Sequence, residues 1–181
     1  MTERPCAPLP YDFLPEVPVL EVASNDIAHG QPLPAAHASG MFGVEGGQDK
    51  SPHLRWRGAP ESTRSYAVTC FDPDAPTGSG FWHWTVFDIP ASVTELAAGA
   101  GAADGSGLPA GAGQARNDAN VAGYIGAGPP PGHGPHRYAF AVHALDVDNC
   151  GATADSTPAF VGFTFFGHTV ARGLLVATFE R

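Results

Sequence analysis

The sequence predicts a mostly-β domain: a sandwich of antiparallel or mixed sheets with short helices near the C-terminus. Three observations carry this. Apolar runs rich in aromatic and β-branched residues recur at strand length, at 65–71, 82–89 and 136–145. Turn residues punctuate the chain, with 23 Gly and 18 Pro in 181 residues. Helical spacing of apolar residues occurs only late, from Pro158 onward. Many short strands followed by late helices suit a layered sandwich rather than alternating β–α units.

Taken in order, residues 1–16 form a proline-rich arm, and residues 17–181 a single domain. Five prolines within residues 1–18 exclude a helix there, and Tyr11, Phe13 and Leu14 are its candidate anchors. Residues 17–23 read as a first strand. Residues 31–50 are polar and contain glycine, so they read as loop with one short strand. Residues 53–56 alternate as a strand ending before Gly58. The strand 65–71 follows, and then Pro73, Pro76, Gly78 and Gly80 enforce a loop. Strict alternation along 82–89 puts Trp82, Trp84, Val86 and Asp88 on one face, and His83, Thr85, Phe87 and Ile89 on the other.

Residues 94–98 read as a helical turn. Fourteen of the nineteen residues 97–115 are Gly or Ala, which predicts a mobile surface loop. A Pro/Gly loop at 128–135 leads into the strand 136–145, where His136, Tyr138, Phe140 and Val142 share a face. Residues 146–158 are a polar connection. Phe160, Phe163, Val170, Leu174 and Leu175 predict one helix or two short ones across 158–178, with 175–179 returning as a last strand.

Composition removes several function classes. The net charge is −9, and Lys50 is the single lysine among nine basic residues. Sequence-independent nucleic-acid binding and electrostatic docking on anionic membranes both need a basic footprint. No apolar stretch of about 20 residues offers a membrane span. Cys6, Cys70 and Cys150 leave an odd thiol whatever pairs. With no secretory pattern at the N-terminus, this predicts no structural disulfide and a reducing, cytoplasmic setting.

Two stretches carry chemistry. Asp72 ends one strand, and His83 stands at the start of the next. His136 begins the later strand with Tyr138 two residues on. Stiff loops therefore deliver a carboxylate, two histidines and a phenol to strand ends. Histidine N–H groups, a tyrosine hydroxyl and loop N–H groups are donors, and converging donors make an oxyanion or phosphate site without a basic surface. Asp72 could orient a histidine or accept from a ligand ammonium. Asp72 and Asp74 could also simply cap turns.

Ser51-Pro52-His53-Leu54-Arg55-Trp56, Asp72-Pro73-Asp74-Ala75-Pro76 with His83-Trp84, Asn117-Asp118, and Gly128-Pro129-Pro130 through His136-Arg137-Tyr138 occur in this order. In them the chain resembles the phosphatidylethanolamine-binding protein family, in its bacterial branch often called Raf-kinase-inhibitor-like. The resemblance covers roughly residues 17–181. It implies the family's β-sandwich and a small anion cavity built by Asp72, His83, Gly128, Pro129, His136 and Tyr138, with Asp74, Trp82, Pro130 and His133 at its rim. It implies a non-enzymatic binding protein for phosphoethanolamine-like headgroups, without cofactor or metal. Family members are linked to kinase and protease partners, and bacterial ones to homodimers. The alternatives are a small hydrolase or a metal-binding protein using Asp72, His83 and His136. Against a hydrolase, Ser79 lies in no nucleophile elbow. His29, His37, His53, His143 and His168 are read as surface or packing residues. Phosphate held by protonated His83 and His136 predicts an affinity peak at about pH 6 to 7.

Overall fold

A computed structural model describes residues 6–181. Residues 1–5 of the proline-rich arm lie outside the described residues. Among the described residues the chain forms a small sheet and a large one. The small sheet has the order β1 (Glu21–Ala23), β2 (Leu54–Arg57) and β5 (Glu95–Leu96). The large sheet runs β6 (Gly113–Gln114), β4 (Phe81–Pro90), β3 (Ser65–Asp72), β7 (His136–Leu145) and β8 (Thr169–Phe179). Every pairing between these strands is antiparallel. Parallel pairing is confined to isolated bridges such as Val19 with Arg172.

The main core lies between the sheets. Leu54, Trp56 and Leu96 of the small sheet meet Val68, Cys70, Trp84 and Phe140 of the large one. Trp84 and Phe140 are fully buried, and truncating such a side chain costs about 3–5 kcal/mol. The outer face of the large sheet is covered twice. The helix α1 (Pro158–Phe165) brings Val161 and Phe165 onto Ala67, Phe87 and Leu145. The arm brings Tyr11, in a 3₁₀ turn at Pro10–Phe13, onto Ala139 and Ala141. Tyr11 is the anchor expected of it, whereas Phe13 is exposed.

Four expectations need correction. First, strict alternation fails in β4. Cys70 pairs with Trp84, but the next residue, Phe71, pairs with Trp82, so His83 is an extra residue at a bulge. The bulge sends Trp82 outward, its ring 4.4 Å from that of Phe71. His83 joins Trp84's side, 5.1 Å from the ring of Tyr138. A second irregularity, with Asp88 at φ 55°, brings Val86 and Ile89 into the same core.

Second, residues 97–115 are packed at both ends, with Ala100, Gly101, Gln114 and Ala115 buried, while residues 102–111 form the expected surface loop. Ala100 is buried, and a Cβ on Gly101 would come within 2.9 Å of Trp84. Gln114 accepts from the Trp84 indole at 3.2 Å and donates to the Ala102 carbonyl at 2.7 Å. The small residues permit close approach to the indole. Third, residues 95 and 96 belong to a strand, not a helical turn.

Fourth, the two short helices are α1, ending at Phe165, and a 3₁₀ turn at Phe166–His168, after which β8 runs eleven residues rather than beginning at residue 175. Thr157 caps the helix by accepting from Phe160 N–H at 3.2 Å, with Pro158 at its first turn. In β8 the inward positions are Ala171, Gly173, Leu175 and Ala177, so their small size mutes the strand signal. No helix of the described residues is long and apolar enough to cross a membrane.

Candidate anion-binding site

A cavity of about 190 Å³ opens where the loop after β3, the start of β4 and the start of β7 meet. Asp72, His83, Gly128, Pro129, Pro130, His136 and Tyr138 all line it. The bulge is what puts His83 there.

Asp72 ends β3 and is buried. One of its carboxylate oxygens accepts from the Asp74 backbone N–H at 2.8 Å, and the other from His136 Nδ1 at 2.7 Å. Asp72 is therefore both turn cap and histidine orienter, and both oxygens are already engaged. A carboxylate only accepts, so Nδ1 of His136 carries a proton. Nε2 of His136 lies 2.8 Å from Nδ1 of His133. In neutral His136 that nitrogen accepts, and His133 Nδ1–H donates to it. In that state both protons of the chain Asp72–His136–His133 point toward Asp72. His133 stands between Gly132 and Gly134, at φ 72° and 83°, in a backbone conformation suited to glycine.

His83 is also buried. Its Nδ1–H donates to the Ile125 carbonyl at 2.9 Å, leaving Nε2 as the other polar atom of the ring. Burial pushes the His83 pKa down, partly offset by the Asp72 carboxylate. The ring is thus neutral at neutral pH and Nε2 is an acceptor, contrary to the expected imidazolium. The Tyr138 hydroxyl is buried, and its proton has no acceptor, while the Gly128 amide faces its oxygen. Burial raises its pKa far above the usual tyrosine range, while the Gly128 amide favours its ionised form. It stays an O–H donor.

The loop supplies fewer N–H groups than expected, because Pro129, Pro130 and Pro131 have none and Gly132 N–H donates to the Arg181 carbonyl at 2.7 Å. Gly128 has its own reason to be glycine: a Cβ there would come within 2.6 Å of the Phe42 ring.

Among the rim expectations, Pro130 lines the cavity and His133 covers His136. Trp82 and Asp74 are not part of the lining. Trp82 is turned outward by the bulge. Asp74 clamps Arg137, accepting from its backbone N–H at 2.9 Å and from Nε and Nη2 at 2.8 Å. Sequence reasoning missed Phe42 and Phe81, whose rings lie 6.3 Å apart at the wall. Phe81 sits two residues before His83 and was within reach of the alternation argument. Phe42 comes from a distant loop and left no local signal. Among the described residues no cluster of three or more His, Cys, Asp or Glu side chains is arranged to hold a metal ion.

Comparison with known proteins places this geometry. A family model for phosphatidylethanolamine-binding protein matches residues 23–180. YbcL of Escherichia coli is 46% identical over 168 residues, covering 93% of this chain and 91% of that protein. YbhB of the same organism is 43% identical over 164 residues, covering 89% of this chain and all of YbhB. The crystal structure of E. coli YbcL, described as a new member of the mammalian PEBP family, superposes with a TM-score of 0.87 at 46% identity, covering 90% of this chain and 98% of the other. A phosphatidylethanolamine-binding protein from Plasmodium vivax shares the fold at TM-score 0.61 and 16% identity, over 91% of this chain and 87% of that one. By sequence over nearly its whole length, and by fold, the chain belongs to the phosphatidylethanolamine-binding protein family.

Proposed function

We propose that the protein is a non-enzymatic binding protein whose cavity takes a monoanionic phosphate-type headgroup. The observation that carries this reading is the Tyr138 hydroxyl, buried beside His83 in the cavity with no acceptor for its proton. A buried donor left unmade costs about 1–3 kcal/mol, which a ligand acceptor recovers.

In this reading a phosphoryl oxygen accepts from Tyr138 O–H and the Gly128 N–H. The acidic P–O–H donates to Nε2 of neutral His83. This pairing needs no imidazolium and suits a lining without Lys or Arg. Prolines at 76, 129 and 130 hold the walls in place, which lowers the ordering cost of binding. The lining supplies no activated nucleophile: Thr77, its one aliphatic hydroxyl, donates to the Gly80 carbonyl.

Calorimetric titration with inorganic phosphate and O-phosphoethanolamine tests the reading. Tyr138→Phe is expected to weaken binding about tenfold, from loss of one hydrogen bond to a charged group. Undiminished affinity in Tyr138→Phe, or no binding of either compound to the wild-type protein, overturns it.

A further inference from the structure

The opposite face of the large sheet holds a second cavity, of about 160 Å³, that the headgroup reading does not use. Its floor is the outer face of the sheet, with Trp82 delivered there by the β4 bulge. Its walls are Tyr11 of the arm and Phe165 of α1. Two polar groups stand in this aromatic enclosure. His143 is 1% exposed, and its Nε2 has no hydrogen-bond partner. Arg172 donates through Nε to His143 Nδ1 at 3.3 Å, with its guanidinium carbon 5.9 Å from the centre of the Tyr11 ring.

The tautomer of His143 follows from that contact. A guanidinium only donates, so Nδ1 accepts and the single ring proton sits on Nε2. Burial and the neighbouring guanidinium hold this histidine neutral, with its pKa pushed down to about 3. The unmet group is therefore a buried N–H donor. Arg172 is unmet in a second sense. Arg57, Arg64 and Arg137 each engage a carboxylate; Arg172 has none within ion-pair distance among the described residues, and unlike the other unpaired arginines, Arg55, Arg116 and Arg181, it is not exposed. In a chain of net charge −9, a half-buried arginine without an acid marks a place for an external anion.

We infer that this cavity is a second binding site, for a small carboxylic acid whose single-ring apolar body fills the aromatic enclosure while its carboxylate meets His143 and Arg172. An apolar cavity of about 150 Å³ accommodates a benzene-sized body, which sets the ligand's scale. One carboxylate has the acceptor capacity to take the His143 Nε2–H and a guanidinium N–H together. The site is independent of the headgroup cavity, which opens at the end of the sheet around Asp72, His136 and Tyr138.

Gly162 provides a clean test. It lines the cavity within α1, and a Cβ placed on it meets nothing within 4 Å. Gly162→Leu therefore adds apolar bulk at the cavity lining without a Cβ clash and removes a helix-weakening glycine. Benzoate and cyclohexanecarboxylate are titrated against isotope-labelled protein, following the indole N–H of Trp82 by heteronuclear NMR, with benzyl alcohol as the uncharged control. The expected result is a saturable shift of the Trp82 signal with at least one of the two acids in the wild type. That shift is absent in Gly162→Leu and weakened about tenfold or more in Arg172→Gln, as loss of a charged hydrogen bond requires. Benzyl alcohol should bind more weakly than benzoate and be indifferent to Arg172→Gln. Gly162→Leu should keep its thermal midpoint and its O-phosphoethanolamine titration. No saturable shift with either acid in the wild type, or equal affinity in Gly162→Leu, overturns the inference.

Discussion

Replacing Asp72 by Asn should reverse a proton chain rather than simply break it. In the wild type, Asp72 accepts from His136 Nδ1 at 2.7 Å, and His136 Nε2 lies 2.8 Å from His133 Nδ1, accepting from it when His136 is neutral. Asparagine can keep one oxygen for the Asp74 N–H, as Asp72 does at 2.8 Å. Its amide nitrogen then faces His136 Nδ1, and two donors would meet in a buried site. Leaving that clash unrelieved costs about 1–3 kcal/mol. The histidine escapes by moving its proton to Nε2, and His133 Nδ1 must then accept. What remains is the exchange of a charge-assisted bond for a neutral one. With about 1.5–3 kcal/mol for the first and about 0.5–1.5 for the second, the variant should lose about 1–2 kcal/mol of stability. Long-range ¹H–¹⁵N correlation of the imidazoles reads the tautomer directly, and urea unfolding reads the stability. A His136 still protonated on Nδ1 alone, with unchanged stability, would refute the chain.

Two further outcomes follow from the same geometry. Asp74→Ala removes three acceptor contacts to Arg137, whose side chain is 24% exposed, so unfolding stability should fall by about 2–4 kcal/mol; a loss below about 0.5 kcal/mol would mean the clamp is ornamental. The pKa of His143 is pushed down to about 3 from an unfolded value of about 6.5, so the unfolded chain binds one more proton between those limits. Its stabilising effect is complete above about pH 6.5 and is lost as pH falls toward 3, at about 1.4 kcal/mol per pH unit. His143→Phe should remove that one-proton component from the pH dependence of urea unfolding. Identical slopes in both proteins would contradict it.

The strands bearing Asp72, His136 and Tyr138 were legible because apolar runs end abruptly at Pro/Gly loops, and a period of two puts His136 and Tyr138 on one side. His83 lines the cavity, but the alternation argument set it on the wrong face. A β-bulge changes the phase of every residue before it and leaves no mark in composition. The same bulge explains why Trp82, expected at the rim, belongs to the opposite side of the sheet. The ends of residues 97–115 misled because Gly and Ala signal looseness locally, while Gly101 makes room for Trp84 and Tyr124. β8 hid behind inward-facing Ala and Gly that offer little hydrophobic periodicity. His133 shows another limit: its contact with His136 depends on loop geometry that spacing alone does not give. Asp74 was weighed as turn residue or rim, and its actual partner, Arg137, was in view only as part of a family motif.

The central claim is that the cavity binds a phosphate monoanion through neutral His83 and the Tyr138 hydroxyl. Its most direct test is the affinity for O-phosphoethanolamine from pH 5 to 8 by calorimetry, beside sulfate. A phosphate monoester loses its second proton at about pH 6, whereas sulfate brings no proton to share with Nε2. With the His83 pKa lowered by burial, the competent pair is neutral histidine and monoanionic phosphate. Phosphoethanolamine affinity should therefore be level below about pH 6 and fall about tenfold per pH unit above it, as the ligand deprotonates. Sulfate, which requires a charged histidine, should bind weakly throughout and improve only with acid. A phosphoethanolamine affinity that is flat or rising from pH 6 to 8, or sulfate binding as tightly as the phosphoester at pH 7, would contradict the account.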